Sequence, residues 1–311
     1  MIYDIAIVGS GPAAYSASIY ASRYKLSNII FGKIVGGTIS EAHMVCNYPG
    51  LQDISGIELS AKFEKQAKDL GAGIAYESVV DIWRKKDDTT FHIMTDNNNN
   101  QYEAKTVILT TGTERNKLML PDEDKYLGKG LSYCATCDAM FYRDKTVAVV
   151  GGKNAAVMSA TMLSDIAKKV YLIYRGTELL GEPMWVDQLM ARKNVEIILK
   201  TLPIGLEGEN RLERIKLSQP FNGEQYVNVD GVFIEIGSEP DGLFPNMLRL
   251  EVDAKKYIKV DNTQATSLEG VWAAGDCTTA SNGFRQVVTA VGEGGIAANS
   301  IFRYLSQKAR V

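Results

Sequence analysis

Two stretches of the chain repeat one pattern of apolar and polar positions. The first reads Asp4-Ile5-Ala6-Ile7-Val8 and then Gly9-Ser10-Gly11-Pro12-Ala13-Ala14. The second reads Thr146-Val147-Ala148-Val149-Val150 and then Gly151-Gly152-Lys153-Asn154-Ala155-Ala156. In each, an unbroken apolar run meets a glycine turn and an alanine-rich segment, and a further apolar run follows at residues 28–31 and 170–173. A short run that is apolar at every position marks a strand buried on both faces, as in a parallel sheet. Both stretches therefore predict a strand–helix–strand unit of a nucleotide-binding fold.

The pattern between and after them is weaker. Residues 83–102 alternate strand-like positions with Lys85-Lys86-Asp87-Asp88 and an asparagine run at 97–100, which reads as a hairpin loop. A strand at 106–109 runs into Thr110-Thr111-Gly112. Further strands are expected near 195–199, 214–217 and 231–236, the last ending at Gly237-Ser238-Glu239-Pro240. Residues 270–274 lead into Gly275-Asp276, and a long helix is expected over 285–305. The simplest arrangement is an α/β chain of two Rossmann-like (three-layer ββα) nucleotide-binding domains, the second inserted in the first. Residues 1–113 and 244–311 would make the first, and 114–243 the second.

Composition narrows the function. A chain of 311 residues with 45% hydrophobic content can build two real cores. Lys+Arg 34 against Asp+Glu 37 leaves no basic footprint for nucleic acid. The opening apolar run is too short for a bilayer, and Met1-Ile2-Tyr3-Asp4 has no basic flank of a secretory signal, so a cytoplasmic setting is expected. There, structural disulfides are rare. Of the cysteines at 46, 134, 137 and 277, only Cys134-Ala135-Thr136-Cys137 forms a C-x-x-C. A four-cysteine zinc site is not available from that spacing, and His43 and His92 are remote in sequence, so no metal is expected. The pair reads as a redox dithiol: one thiolate attacks a partner disulfide, and the second thiol resolves the mixed disulfide. Asp138, next in line, could move the proton, or could simply cap a helix. Cys46 and Cys277 read as small buried hydrophobes.

The first glycine loop, Gly9-x-Gly11-x-x-Ala14, follows a strand and opens a helix. The first glycine permits the turn, the second lets backbone approach a pyrophosphate, and the small third residue lets helix and strand pack closely. Phosphates would rest on the free helix N–H groups. The plain alternative is a glycine turn with no ligand. The strand end Ile30-Phe31-Gly32-Lys33 lacks the acid that often holds the ribose, so the adenosine must be held otherwise.

Together these pieces resemble the low-molecular-weight thioredoxin reductases, over essentially the whole chain. The resemblance rests on the two glycine loops, Gly36-Gly37, Asn47-Tyr48-Pro49-Gly50, Thr110-Thr111-Gly112, Ser132-Tyr133-Cys134-Ala135-Thr136-Cys137-Asp138, Gly275-Asp276 and Arg285-Gln286. It implies FAD in the first domain, with its phosphates over Gly9, Ser10, Gly11, Pro12 and Ala13. Gly36, Gly37, Thr38 and Asn47 would line the flavin side, and Thr111 and Gly112 the adenine side. Gly275 and Asp276 would reach the ribityl chain, with Arg285, Gln286 and Val287 near the isoalloxazine. The resemblance further implies that Cys137 is the thiol nearest the flavin, Cys134 the one attacking thioredoxin, and Asp138 the acid–base residue. It implies a homodimer whose inserted domain rotates on hinges near 114–116 and 241–244.

The chain departs from that family in its second nucleotide fold. Lys153 stands where the second fingerprint glycine belongs. Relatives carry a His-Arg-Arg run and a later arginine for the 2′-phosphate of NADPH, where this chain reads Tyr174-Arg175-Gly176 and then Leu180. Losing two of three charge-assisted contacts costs about 3–6 kcal/mol, a factor of roughly 10² to 10⁴ in affinity. Lys153 offers a partial substitute cation. NADPH is therefore not expected as the natural reductant, and the chain resembles the branch that takes electrons from ferredoxin. The vacated pocket would offer room for another ligand, even a second flavin, with Tyr174 or Trp185 stacking on it; the plain reading of Trp185 is packing. Competing readings are a conventional NADPH-dependent enzyme with an atypical pocket, a ferredoxin–NADP flavoenzyme (against which the cysteine pair argues), and a non-catalytic flavin or nucleotide sensor.

Overall fold

The computed structural model describes residues 1–51, 53–85, 89–97 and 100–308. The chain divides into two compact units, Met1–Glu114 with Glu239–Val311, and Arg115–Ser238. It passes between them through two short strands, Glu114–Arg115 and Ser238–Glu239, which pair with each other. The return thus comes a few residues before the position near 244 expected from the sequence.

In the first unit, among the described residues, seven strands form one sheet. Its parallel part runs Gly73–Ala75, Asn28–Phe31, Ile2–Val8 and Gln101–Leu109. Gln101–Leu109 is long enough to serve two neighbours. Its first half pairs antiparallel with Phe91–Thr95, which pairs in turn with Val79–Trp83, while its last residues pair parallel with Val271–Ala273. Only 106–109 is buried throughout, because the first half is partly exposed as a hairpin arm. The turn of that hairpin includes Asn97 and Asn100; Asn98 and Asn99 lie outside the described residues, as do Lys86, Asp87 and Asp88 of the charged stretch.

The helices Pro12–Arg23, Gly56–Asp69 and Val287–Lys308 cover one face of this sheet around Ile5, Ile7, Ile30 and Ile108, all wholly buried. Each such side chain contributes about 1.5–3 kcal/mol by leaving water. The alternating set Ala6, Val8, Phe31 and Val107 faces a second core with Phe91, Ile93 and Phe244. Two-sided burial is what the unbroken apolar runs encode.

The second unit repeats the plan. Val195–Ile198, Lys169–Ile173, Thr146–Val150, Gly231–Ile234 and Leu131–Ser132 form a parallel sheet. The helices Asn154–Ser164 and Pro183–Met190 lie on one face. An antiparallel sheet of Pro203–Glu207, Arg214–Phe221 and Glu224–Asn228 shares the core on the other. Both units are thus mixed α/β, with a parallel sheet between helices and antiparallel strands.

Candidate active site

The first unit holds a cavity of about 620 Å³ where its parallel strands end. Its floor is the turn Gly9-Ser10-Gly11-Pro12-Ala13. Gly9 has φ +115°, and a Cβ there would lie 2.2 Å from the Thr110 carbonyl oxygen, so no other residue fits. Gly11 caps the helix Pro12–Arg23 with no side-chain bond, which leaves the first-turn N–H groups to a ligand. The missing ribose acid has a steric cause. A Cβ at Gly32 would lie 2.2 Å from Ser10 Oγ, and Ser10 Oγ donates to Ile34 O at 2.7 Å. The serine fills the strand-end space that an acid would need.

The walls come from distant segments. Gly36, Gly37 and Thr38 line one side, and Thr111 and Gly112 another. Gly275, Asp276, Arg285, Gln286 and Val287 close the third. Of the residues expected at a flavin, Asn47 alone does not line the cavity; its amide donates to Gln286 Oε1 at 2.9 Å from outside. Lys33, Ser78, Thr113 and Glu114 line it too and were not anticipated.

Asp276 is half-buried and its carboxylate takes no hydrogen bond from the protein among the described residues. Burial pushes its pKa up to about 6, with Arg285 pulling it down and the charge of Glu293 adding to the rise. An acceptor placed this way suits a hydroxyl-bearing chain. Arg285 donates Nε to the Asp276 carbonyl at 3.2 Å and stacks its guanidinium 3.7 Å from the Tyr257 ring centroid. Beneath, Glu293 is buried in the helix Val287–Lys308. It accepts from Gly275 N–H at 2.7 Å, from the Thr278 hydroxyl at 3.2 Å and from the Ser281 hydroxyl at 2.6 Å. One carboxylate so anchors the Gly275-Asp276 turn. The signal for it was an acid between glycines in a stretch otherwise built of small residues.

The donor set fits FAD: open helix N–H groups on a glycine floor for the pyrophosphate, and an unpartnered carboxylate for a polyol. Cys277, next to Asp276, is buried, and its thiol is pushed up to about 11 by that burial. It packs as a small side chain and is no nucleophile at neutral pH. Cys46 is half-buried and free.

In the second unit Cys134 and Cys137 form a disulfide with Cα atoms 5.3 Å apart. Cys134 stands at the start of the one-turn helix Ala135–Asp138 and its sulfur accepts the Cys137 N–H at 3.2 Å. Its own N–H donates to the hydroxyl of buried Ser132 at 3.0 Å. Once the pair is reduced, the N–H on Cys134 Sγ favours the thiolate there. Cys137 is exposed and Cys134 half-buried. Asp138 is half-buried and makes no side-chain cap bond to the following turn, so helix capping does not account for it. Tyr142, its neighbour in charge, has its phenol pKa raised by burial first and by Asp138 second.

The second glycine turn lies in the same unit. Lys153 is exposed at the start of the helix Asn154–Ser164. Leu180 N–H donates to Gly152 O at 2.7 Å, and Asn154 exchanges hydrogen bonds with Glu182 at 2.6 and 3.1 Å. Trp185 is half-buried and packs on the core of this unit.

No helix among the described residues is long and apolar enough to cross a membrane. Residues 3–294 match the family model described as pyridine nucleotide-disulphide oxidoreductase. The thioredoxin reductase of Treponema pallidum (strain Nichols) is 38% identical over 97% of both chains. The crystal structure of T. acidophilum thioredoxin reductase matches with a TM-score of 0.90 and 35% identity, covering 98% of this chain and 99% of that one. A ferredoxin-flavin thioredoxin reductase from Clostridium acetobutylicum matches with a TM-score of 0.52 and 35% identity over 98% of both. The chain belongs to the pyridine nucleotide-disulphide oxidoreductase family, as a flavin disulfide oxidoreductase of the thioredoxin reductase type.

Proposed function

We propose that this chain reduces thioredoxin or a thioredoxin-like protein through FAD and the Cys134–Cys137 disulfide, with ferredoxin or another non-pyridine donor supplying the electrons. The observation that carries the reading is the closed Cys134–Cys137 bond, with a hydrogen bond waiting on one of its sulfurs. When bound, FAD supplies the electron pair that opens this bond. The unit Met1–Glu114 with Glu239–Val311 would hold the FAD, and Arg115–Ser238 carries the dithiol.

Two electrons and two protons convert the disulfide to two thiols. The Cys134 thiolate attacks the partner disulfide, forming a mixed disulfide and releasing one partner thiolate. The Cys137 thiolate then attacks Cys134 sulfur, restoring the internal bond and releasing the second partner thiolate. Asp138 holds and returns the protons. Gly9, Gly11 and Ala13 would hold the pyrophosphate, Asp276 would accept from the ribityl chain, and Arg285 and Gln286 would lie toward the ring. A one-electron donor such as ferredoxin must act twice per disulfide. Support for it comes from Lys153, Gly176 and Leu180, which remove the usual backbone approach and two phosphate cations. A homodimer in the cytoplasm completes the reading, supported by exposed Tyr20, Ile296 and Phe302 on the helices Pro12–Arg23 and Val287–Lys308.

The conventional NADPH-dependent reading has one observation in its favour, the exposed cation of Lys153 at the second glycine turn. Anaerobic titration of the flavin with NADPH, NADH and reduced ferredoxin in parallel separates the two. Bleaching is expected with ferredoxin only; bleaching by micromolar NADPH would reverse the donor assignment.

A further inference from the structure

The second nucleotide fold carries an obstruction that loss of charge alone does not explain. Tyr174 follows the last residue of the strand Lys169–Ile173. In a Rossmann unit that strand end meets the adenosine ribose, read by an acid for NAD or accompanied by an arginine for the 2′-phosphate of NADP. Here the phenol ring lies between two glycines. A Cβ built on Gly152, in the glycine turn, would fall 2.3 Å from Tyr174 Cδ1 and Cγ. A Cβ built on Gly176 would fall 2.4 Å from Cε1 and 2.9 Å from Cζ of the same ring. Neither glycine has the left-handed backbone that would itself demand glycine. The ring is what excludes a side chain at both places.

The arrangement is held from behind. Tyr174 N–H donates to Ile198 O at 2.9 Å, and the Tyr174 carbonyl accepts from Thr201 N–H at 3.1 Å. Gly176 O accepts from Lys200 N–H at 3.0 Å, and Leu180 N–H ties the following loop to Gly152 O. The ring therefore cannot leave by a simple shift of its own backbone.

We propose that Tyr174 is a built-in occlusion of the pyridine-nucleotide site, resting on the donor reading above: its ring fills the place of the adenosine ribose and 2′-phosphate, and Gly176 is glycine because that ring is there. Tyr174 and Gly176 form a matched pair. Restoring the cation at 176 without removing the ring does not restore nucleotide binding. The half-buried ring is a specificity-determining group, not a platform awaiting a ligand.

Calorimetric titration of the FAD-loaded protein with NADP⁺ and with NAD⁺ tests this without relying on turnover. The parent and Gly176→Arg are expected to show no binding up to millimolar nucleotide. Gly176→Arg also unfolds at lower temperature, because the new stem must displace the ring. Tyr174→Ala/Gly176→Arg is expected to bind NADP⁺ roughly ten- to a hundredfold more tightly than Tyr174→Ala, the worth of one charge-assisted contact, and to favour NADP⁺ over NAD⁺. Tyr174→His replaces the alanine if circular dichroism shows that either alanine variant is unfolded. Micromolar NADP⁺ binding by the parent overturns the occlusion. So does binding by Gly176→Arg as tight as by the double variant, or a folded double variant that stays silent. If all variants stay silent while reduced ferredoxin bleaches the parent flavin, the occlusion fails and the donor reading stands. If the double variant gains NADP⁺ while ferredoxin leaves the parent flavin oxidised, the reverse holds.

Discussion

Asn47 and Gln286 stand 239 residues apart in the chain, and the amide nitrogen of one donates to Oε1 of the other at 2.9 Å. Gln286 lines the flavin cavity and Asn47 stands outside it, so the bond fixes the orientation of a cavity wall. A neutral bond of this kind contributes about 0.5–1.5 kcal/mol. Asn47→Ala is expected to weaken FAD retention roughly two- to tenfold without changing the flavin-free melting temperature by more than a few degrees. Fluorescence of FAD released on dilution measures it. Retention equal to the parent would mean that Gln286 holds its orientation unaided.

Glu293→Ala leaves the Gly275 N–H and the Ser281 hydroxyl without their acceptor, while the Thr278 hydroxyl keeps the Gly275 carbonyl at 3.0 Å. Buried donors stripped of a charged partner cost about 1–3 kcal/mol. The variant should melt several degrees lower and purify with less FAD, whereas Glu293→Gln, which keeps one acceptor oxygen, should lose less of both. Equal behaviour of the two variants would show that the carboxylate fills space and does not anchor the turn.

The raised pKa of Asp276 has a definite pH signature. Its ordinary value is 3.8 and its folded value about 6, so the folded chain prefers the protonated form. That preference stabilises fully below about pH 4 and is lost as pH rises through 6, leaving a buried charge above it. In flavin-free protein Asp276→Asn is therefore expected to be more stable than the parent by about 1–3 kcal/mol at pH 7–8. The gain should shrink between pH 6 and 4 and vanish below. Denaturant midpoints across that range provide the measurement, and a gain independent of pH would refute the assignment. The same variant should hold FAD less well, having exchanged a charged acceptor for a neutral one.

Cys137→Ser leaves the Cys134 sulfur with its backbone donor and no resolving thiol. Mixed with oxidised thioredoxin, it should accumulate a covalent complex visible on a non-reducing gel, while Cys134→Ser should form none. The opposite pattern would exchange the roles of the two sulfurs.

Much of this architecture was legible along the chain, because a strand buried on both faces must be apolar at every position and a nucleotide turn must be glycine where a Cβ would strike backbone. Ile5, Ile7, Val147 and Val149 declare their strands alone, and Gly9 declares its turn. The first half of Gln101–Leu109 did not, since it borrows order from a hairpin partner and keeps polar residues on an open face. The spacing of Cys134 and Cys137 is local and could be read directly.

What the sequence determined by itself, then, was which segments are buried, where the backbone turns tightly, and which two sulfurs can meet. Only the tertiary structure decided that Glu293 anchors Gly275, that Ser10 takes the place of a ribose acid beside Gly32, that Asn47 steadies Gln286, and that Tyr174 lies between Gly152 and Gly176. The reason is physical. Hydrophobic periodicity and turn chemistry act over a few residues and leave a local trace, whereas a hydrogen bond or a ring contact between distant segments depends on how those segments are brought together, which no local pattern records.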